Sequence, residues 1–371
     1  MTDASPTRAS APTIPDRLFS NVRSDWLPQL DRLARQFPEL AELVEEYLRI
    51  NIVIDANYVQ QELQWRAKRR KPEARTKLSE SVSSGVIVLF APTHLIREIG
   101  DDLHEIADRV GCSVERVREE WNAFRQQLHF YAPRNRRLRQ GMAIADPDDL
   151  PYIAACEDLG AQAVYSRDKH LRQMRAPVVS VAIDGSLQAY ARATSVRLAI
   201  MVGSAFSVRL SVVGMKAVAG AVVNLFQGFR RLHPIIQVAI IAALVYAFVD
   251  ERLRARLLQL LKALGKAASP ILNVLAATAE QMEISRITLE SAAGDIRAVL
   301  PIPRRVPVIA RARRICLAAK HPVPLEHLAK RIVADGHHTT SARFEVYLRR
   351  VLRGSGEFVE GPTGWQLVAQ N

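Results

Sequence analysis

Four acidic residues stand where a chain of alternating strands and helices would place its chemistry. Asp55 ends a β-branched run, Glu98 lies in a helix that follows a second apolar run, and Asp149 and Asp168 occupy turns at the two ends of one helix–strand unit. Carboxylates that meet at strand ends repel one another unless a cation neutralises them. A convergence of Asp55, Glu98, Asp149 and Asp168 therefore implies a hard divalent ion, Mg²⁺ or Mn²⁺, held by oxygen ligands. Asp146 opens the turn Asp146-Pro147-Asp148-Asp149 and is a further candidate ligand, whereas Asp148 reads as ordinary turn and N-cap chemistry. For any one of these acids a plain loop residue is the default reading, so the weight lies on their order along the chain.

The elements that must position them can be read from periodicity. Ile50-Asn51-Ile52-Val53-Ile54 has the continuous β-branched character of a central parallel strand buried on both faces, and it delivers Asp55-Ala56-Asn57 at its carboxyl end. Gly85 to Phe90 is a second such strand, and Ala91-Pro92-Thr93 is a turn and helix start that puts Glu98 in the second helical turn. Residues 99–131 read as two helices parted by Gly111-Cys112-Ser113, the second running over 114–130. Leu150, Ile153, Ala154 and Leu159 form the buried face of a helix stopped by Gly160, and Ala163-Val164-Tyr165 is too short for anything but a buried strand. Residues 178–183 make a last strand, ended by a turn at Asp184-Gly185. The fold class is thus α/β, a parallel sheet flanked by helices, with carboxylates at the edge where such sheets bind ligands.

Taken together, Asp55-Ala56-Asn57, the Thr93 to Glu98 helix start, Asp146-Pro147-Asp148-Asp149 and Ser166-Arg167-Asp168 resemble the motifs of the PIN-domain family of metal-dependent nucleases over residues 50–184. The resemblance implies endonucleolytic hydrolysis of phosphodiester bonds, of RNA ahead of DNA, by in-line attack of water between two metal ions. It implies that Asp55, Asp149 and Asp168 hold metal and that Glu98 holds metal or orients the water. Asn57 and Ser166 would position ligands or phosphate. Haloacid-dehalogenase-like phosphatases and response-regulator receivers also use strand-end aspartates, but the former want Asp where this chain has Asn57, and the receivers' acidic pair and later lysine are not met. A regulator that binds nucleic acid and leaves the acidic cleft idle is the alternative from another class. The histidines, among them His94, His104, His170 and the pair His337-His338, are scattered and receive no role.

The formal net charge of +13 over 371 residues favours an anionic partner, nucleic acid or an anionic membrane surface. Arg69 and Arg70, in a basic cluster after the first strand, and Arg136 and Arg137, directly before the acidic turn, are candidate phosphate contacts. The three cysteines, Cys112, Cys156 and Cys316, have no metal-binding spacing and suit a reduced cytoplasm.

Around the 50–190 domain, residues 1–15 read as a disordered leader and 16–49 as a helical preamble broken at Pro38. Residues 191–300 form an apolar helical region, read as an oligomer-forming or buried helical pair ahead of a membrane hairpin. The hairpin would bury Arg209 and Lys216 at a cost of roughly 2.5 kcal/mol or more each. The last helix of this region is expected to run from Ser269 to about Ile287. Pro301, Pro303 and Pro307 mark a linker over 301–307. Residues 308–371 resemble a winged helix of the HARE-HTH kind, with helices at 308–320, 325–334 and 340–352 and a hairpin around Gly361-Pro362-Thr363-Gly364. Arg343, Arg349 and Arg350 on the third helix are candidate nucleic-acid contacts.

Overall fold

A strand with β-branched apolar side chains on both of its faces needs cover on both sides, and Ile50–Ile54 (β1) is such a strand, every residue of it buried, the polar Asn51 included. A computed structural model of the chain describes residues 23–34, 49–133, 146–214, 269–300, 306–319, 321–339, 341 and 343–368. Two compact units divide it, one of residues 1–47 with 188–293 and one of residues 48–187 with 294–371.

In the second unit β1 is the middle strand of a five-stranded parallel sheet. Its neighbours are β2 (Ile87–Pro92) and, beyond it, β3 (Leu128–Tyr131) on one side, and β4 (Ala163–Tyr165) and β5 (Val178–Val179) on the other, giving the order β3-β2-β1-β4-β5. Ile52 pairs with both Leu89 and Ala163, so the chain builds outward from β1 in one direction and then crosses to build in the other. The crossover lies between β1 and β4, the place where a parallel sheet opens a crevice at its carboxyl edge.

Connecting helices α2 (Ala56–Lys68), α4 (Leu95–Val110) and α5 (Val114–Arg125) pack on one another, and α3 (Lys77–Ser83) packs on β2. Helix α6 (Leu150–Leu159) packs on β1, β2 and β4. It stops at Gly160, whose left-handed backbone (φ 56°) lets its N–H reach Glu157 O while the N–H of Ala161 takes Cys156 O. A Cβ at this glycine would lie 2.5 Å from Val306 Cγ1, so close packing and backbone conformation both require the missing side chain.

Several expected boundaries are corrected. The helix expected over 114–130 ends at Arg125, because Leu128 to Tyr131 leave the helical ladder to pair with Leu89 to Pro92 as β3. The last strand is only Val178–Val179. A 3₁₀ turn at Val181–Ile183 follows it, and Asp184 starts the 31-residue helix α8 (Asp184–Gly214) instead of ending the domain. The Asp184 carboxylate accepts a 2.5 Å hydrogen bond from the Tyr165 hydroxyl, which ties that helix start to β4. Short helix α7 (Lys169–Gln173) links β4 to β5. Helix α4 begins at Leu95, so Glu98 falls in its first turn and not its second. Helix α9 (Ser269–Val299) runs a full three turns beyond the expected end near 287.

Residues 308–368 form a second layer of the same unit. Helices α10 (Val308–Ala318), α11 (Leu325–Ala334) and α12 (Phe344–Ser355) surround Leu328, Ile332, Leu348 and Leu352. The antiparallel hairpin β6 (Phe358–Gly361) and β7 (Gly364–Leu367) closes this core with Phe358 and Trp365. Val323 bridges to Trp365 across the hairpin, and Gly364 makes room for it, since a Cβ there would meet the Val323 carbonyl carbon at 2.4 Å. The third helix starts at Phe344, four residues later than its expected start at 340.

This layer is fastened to the sheet domain through the carboxyl end of α6. Helix α10 packs on α6 and β3. Arg313, 2% exposed, binds Glu357 through both carboxylate oxygens at 2.7 and 2.9 Å and donates to Asp158 O. Its neighbour Arg314 donates to Leu159 O at 2.9 Å and to Gly160 O, and pairs with Asp335. Two guanidinium groups thus satisfy the carbonyls that the glycine cap leaves over, at the end of a helix where positive charge is favoured.

In the first unit, a 3₁₀ turn at Ser24–Trp26 leads into α1 (Leu27–Ala34), with Leu27, Leu30 and Ala34 buried. Within the same unit Ser195 Oγ donates to Ala191 O at 2.8 Å, inside α8. The rest of the expected preamble, the leader, the linker residues 301–305 and residues 215–268 of the apolar region lie outside the described residues. Among the described residues no helix is long and apolar enough to cross a membrane.

The buried Arg313–Glu357 pair gives a test of the fastening. Arg313→Ala removes both guanidinium hydrogen bonds from the buried Glu357 carboxylate and is expected to cost about 3–5 kcal/mol in urea unfolding, while the joint change Arg313→Met with Glu357→Leu recovers most of it. A loss below about 1 kcal/mol would class the pair with exposed ones that hold little.

Candidate metal centre at the sheet crossover

Asp55 stands at the carboxyl end of β1, where the next residues turn into α2, and only 3% of it is exposed. Its Oδ2 accepts a 2.5 Å hydrogen bond from Ser166 Oγ and a 3.3 Å bond from the Asn57 amide. Ser166 follows β4, so the two strands that flank the crossover are joined by their own end residues. Burial raises the Asp55 pKa, the hydrogen bonds from Ser166, Asn57 and the Ala56 backbone work against that rise, and the charge of Glu98 adds to it.

Asp149 ends a 3₁₀ turn at Pro147–Asp149 and leads directly into α6. Asp146 caps that turn by accepting the N–H of Asp148 at 2.9 Å, so Asp148 contributes only its backbone. The Asp149 carboxyl is pushed up to about 6, first by burial and then by the charges of Asp168, Asp55 and Asp146, with His170 opposing them. Its Oδ2 is buried and has no hydrogen-bond partner. Asp168 caps α7, accepting the His170 N–H at 2.7 Å, and its own N–H donates to Ser166 Oγ at 2.8 Å. Glu98 accepts a 2.8 Å hydrogen bond from the Tyr152 hydroxyl, one turn beyond Asp149 on α6.

The four acids singled out by sequence therefore act on one another in a chain, Asp168 and Asp55 on Asp149 and Glu98 on Asp55. The closest set of ligand atoms is a different one. Among the described residues Asp146, Asp149 and His170 present donor atoms all within 4.8 Å of one another. A buried carboxylate oxygen without a donor, among acids that raise its proton affinity, fits a divalent cation as the missing partner.

Three residues around the site, His170, His94 and Tyr152, received no role from the sequence. His170 stands two residues after Asp168, its Nδ1 3.5 Å from Asp168 Oδ1 and 3.8 Å from Asp146 Oδ2. His94 Nε2 is 3.4 Å from Glu98 Oε2 without a directed hydrogen bond, and its ring meets that of Tyr152 edge-on at 4.9 Å. The i, i+4 spacing of His94 and Glu98, and the i, i+3 spacing of Asp149 and Tyr152, were visible signals.

Of the basic candidates, Arg70, Arg343, Arg349 and Arg350 are exposed. Arg69 is not a free phosphate contact, because its guanidinium binds both Glu120 oxygens at 3.0 Å. Arg349 lies 3.6 Å from Glu360, a surface pair of small energetic weight. Arg136 and Arg137 lie outside the described residues.

The raised Asp149 pKa has a signed consequence. The folded chain holds this proton up to about pH 6, whereas the unfolded chain releases it near the ordinary carboxylate value, so stability falls as pH rises between them. Asp149→Asn removes that loss. In metal-free buffer at pH 7.5 it is expected to raise the melting midpoint by roughly 2–4 °C, as for about 1 kcal/mol after discounting for nearby solvent, and to have no effect near pH 4. Equal midpoints at both pH values would contradict the repulsion.

Comparison of the chain with models of known protein families, with curated proteins and with solved structures yields no match in any of the three.

Proposed function

We propose that this chain is a metal-dependent endonuclease that hydrolyses phosphodiester bonds, RNA ahead of DNA, with a PIN-like sheet domain and a C-terminal winged helix. The observation that carries the reading is the set of acids at the β1/β4 crossover, with Asp149 raised to about 6 and one of its oxygens buried without a partner. The motif resemblance over 50–184, carried by the same acids and their neighbours, points the same way. The three helices, the hairpin and the Val323–Trp365 bridge support the winged-helix reading.

Asp149, Asp146, Asp168, Asp55 and Glu98 would hold Mg²⁺ or Mn²⁺. When bound, the ion supplies a Lewis acid and a more acidic water at the scissile phosphate. Ser166 and Asn57 fix Asp55 through its Oδ2, so its charge stays aimed at the crevice when substrate arrives. Tyr152 fixes Glu98 in the same way through one oxygen. The net charge of +13 draws a polyanion, and the exposed Arg70, Arg343 and Arg350 are available to its phosphates. The setting in this reading is cytoplasmic, with self-association through the apolar helices, and membrane attachment as the lesser alternative.

The test is incubation of the purified full chain with end-labelled single-stranded RNA and with DNA, in Mn²⁺ or in chelator. The expected result is internal cleavage of RNA only with the ion, and a loss of about a thousandfold in Asp55→Asn and Asp149→Asn, roughly 4 kcal/mol of barrier. Binding without cleavage by the unaltered chain in Mn²⁺ would instead favour a non-catalytic regulator that uses the winged helix and basic surfaces.

A further inference from the structure

The acids expected as ligands leave one feature of the centre unused. His170 is the only nitrogen donor in the close set with Asp146 and Asp149, and their ligand atoms lie within 4.8 Å of one another among the described residues. We infer that His170 is a nitrogen ligand of the ion held at Asp149, and that the site therefore takes first-row transition ions in preference to Mg²⁺. This rests on the metal-centre reading above and does not depend on cleavage.

Local structure places the imidazole for this role. Asp168 caps α7 by accepting the His170 N–H at 2.7 Å, which fixes the backbone from which the ring projects. That bond engages Asp168 Oδ1, the oxygen nearest to His170 Nδ1, and the 3.5 Å between them is an ion-pair distance and not a bond that would tie the ring up. Nδ1 also faces Asp146 Oδ2 at 3.8 Å, beyond hydrogen-bond reach, so both atoms can turn to a shared cation. A second and independent observation points into the same place. Asp149, 9% exposed, has an Oδ2 with no hydrogen-bond donor, the condition expected of a carboxylate waiting for a cation.

Chemistry then sets the choice of ion. Mg²⁺ keeps to oxygen ligands and water, and gains little from an imidazole. Transition divalents bind imidazole well, with affinity lowest at Mn²⁺ and rising to a maximum at Cu²⁺. Two carboxylates and one imidazole therefore favour even Mn²⁺ over Mg²⁺, whereas the same site with oxygen donors alone would separate them much less.

The test is direct binding of Mn²⁺ and of Mg²⁺ by the full chain at pH 7.5, by calorimetry, with pulsed electron paramagnetic resonance of the bound Mn²⁺. The unaltered chain is expected to bind Mn²⁺ at least about tenfold more tightly than Mg²⁺, a difference of roughly 1.4 kcal/mol, and to show nitrogen modulation from a directly bound imidazole. His170→Ala, a half-exposed position whose melting midpoint serves as the folding control, is expected to lose the modulation and the Mn²⁺ advantage while keeping its Mg²⁺ affinity. Mn²⁺ bound without nitrogen modulation, yet lost in Asp149→Asn, overturns the role of His170 and leaves the metal centre standing. No saturable Mn²⁺ binding by the unaltered chain overturns both.

Discussion

Mutual repulsion among carboxylates that the fold forces together is the constraint on which the rest of this structure turns. Asp55 and Ser166 are brought to the same edge because β1 and β4 are adjacent parallel strands, and no side-chain preference is needed to explain their meeting. Asp149 arrives through the turn that starts α6, and Asp168 through the cap of α7. Each of these positions is set by the backbone, so the residues stay close while the strands remain paired and the helices keep their starts. The chain relieves part of the repulsion with neutral donors, Ser166 and Asn57 on Asp55 and Tyr152 on Glu98. Asp149 has no such donor at Oδ2, and the strain falls on that group.

Helix α6 transmits this arrangement to the far end of the unit. Its ten residues span about 15 Å, with Asp149 at the start and Gly160 at the stop. The start is held by the Asp146 cap and the stop by Arg313 and Arg314 of α10. Residues 308–368 consequently cover helix α6 and edge strand β3 through α10 as well as forming a core of their own. Tyr131, at the end of edge strand β3, joins the same contact through its hydroxyl bond to Asp158. The acids at the crossover and the C-terminal helices thus share one helix.

What was legible in the sequence follows from how local each signal is. The β-branched run of β1, the glycine stop of α6 and the Ser113 cap of α5 are decided within a few residues, and the expected elements stand where those signals put them. Strand β3 was hidden because Leu128, Phe130 and Tyr131 continue the apolar pattern of the preceding helix, and only pairing with β2 distinguishes the two states. Long-range charge pairing was equally invisible. Arg69 reads as a free cation until Glu120, 51 residues on, is found bound to it. The Arg313 and Arg314 contacts to α6 span 155 residues and carry no local mark at all. His170 was passed over because an isolated histidine has no spacing to read, and its meaning comes from a turn that folds back on Asp146.

The central claim, that a divalent cation completes the acids at the crossover, is tested most directly by a crystal of the full chain grown with Mn²⁺ and measured at a wavelength where manganese scatters anomalously. The expected result is an anomalous peak within bonding distance of Asp149 Oδ2, about 2.2 Å, with further protein ligands from the residues around it. A fully ordered crossover with no peak there, or with Asp149 Oδ2 satisfied by a protein donor, would contradict it.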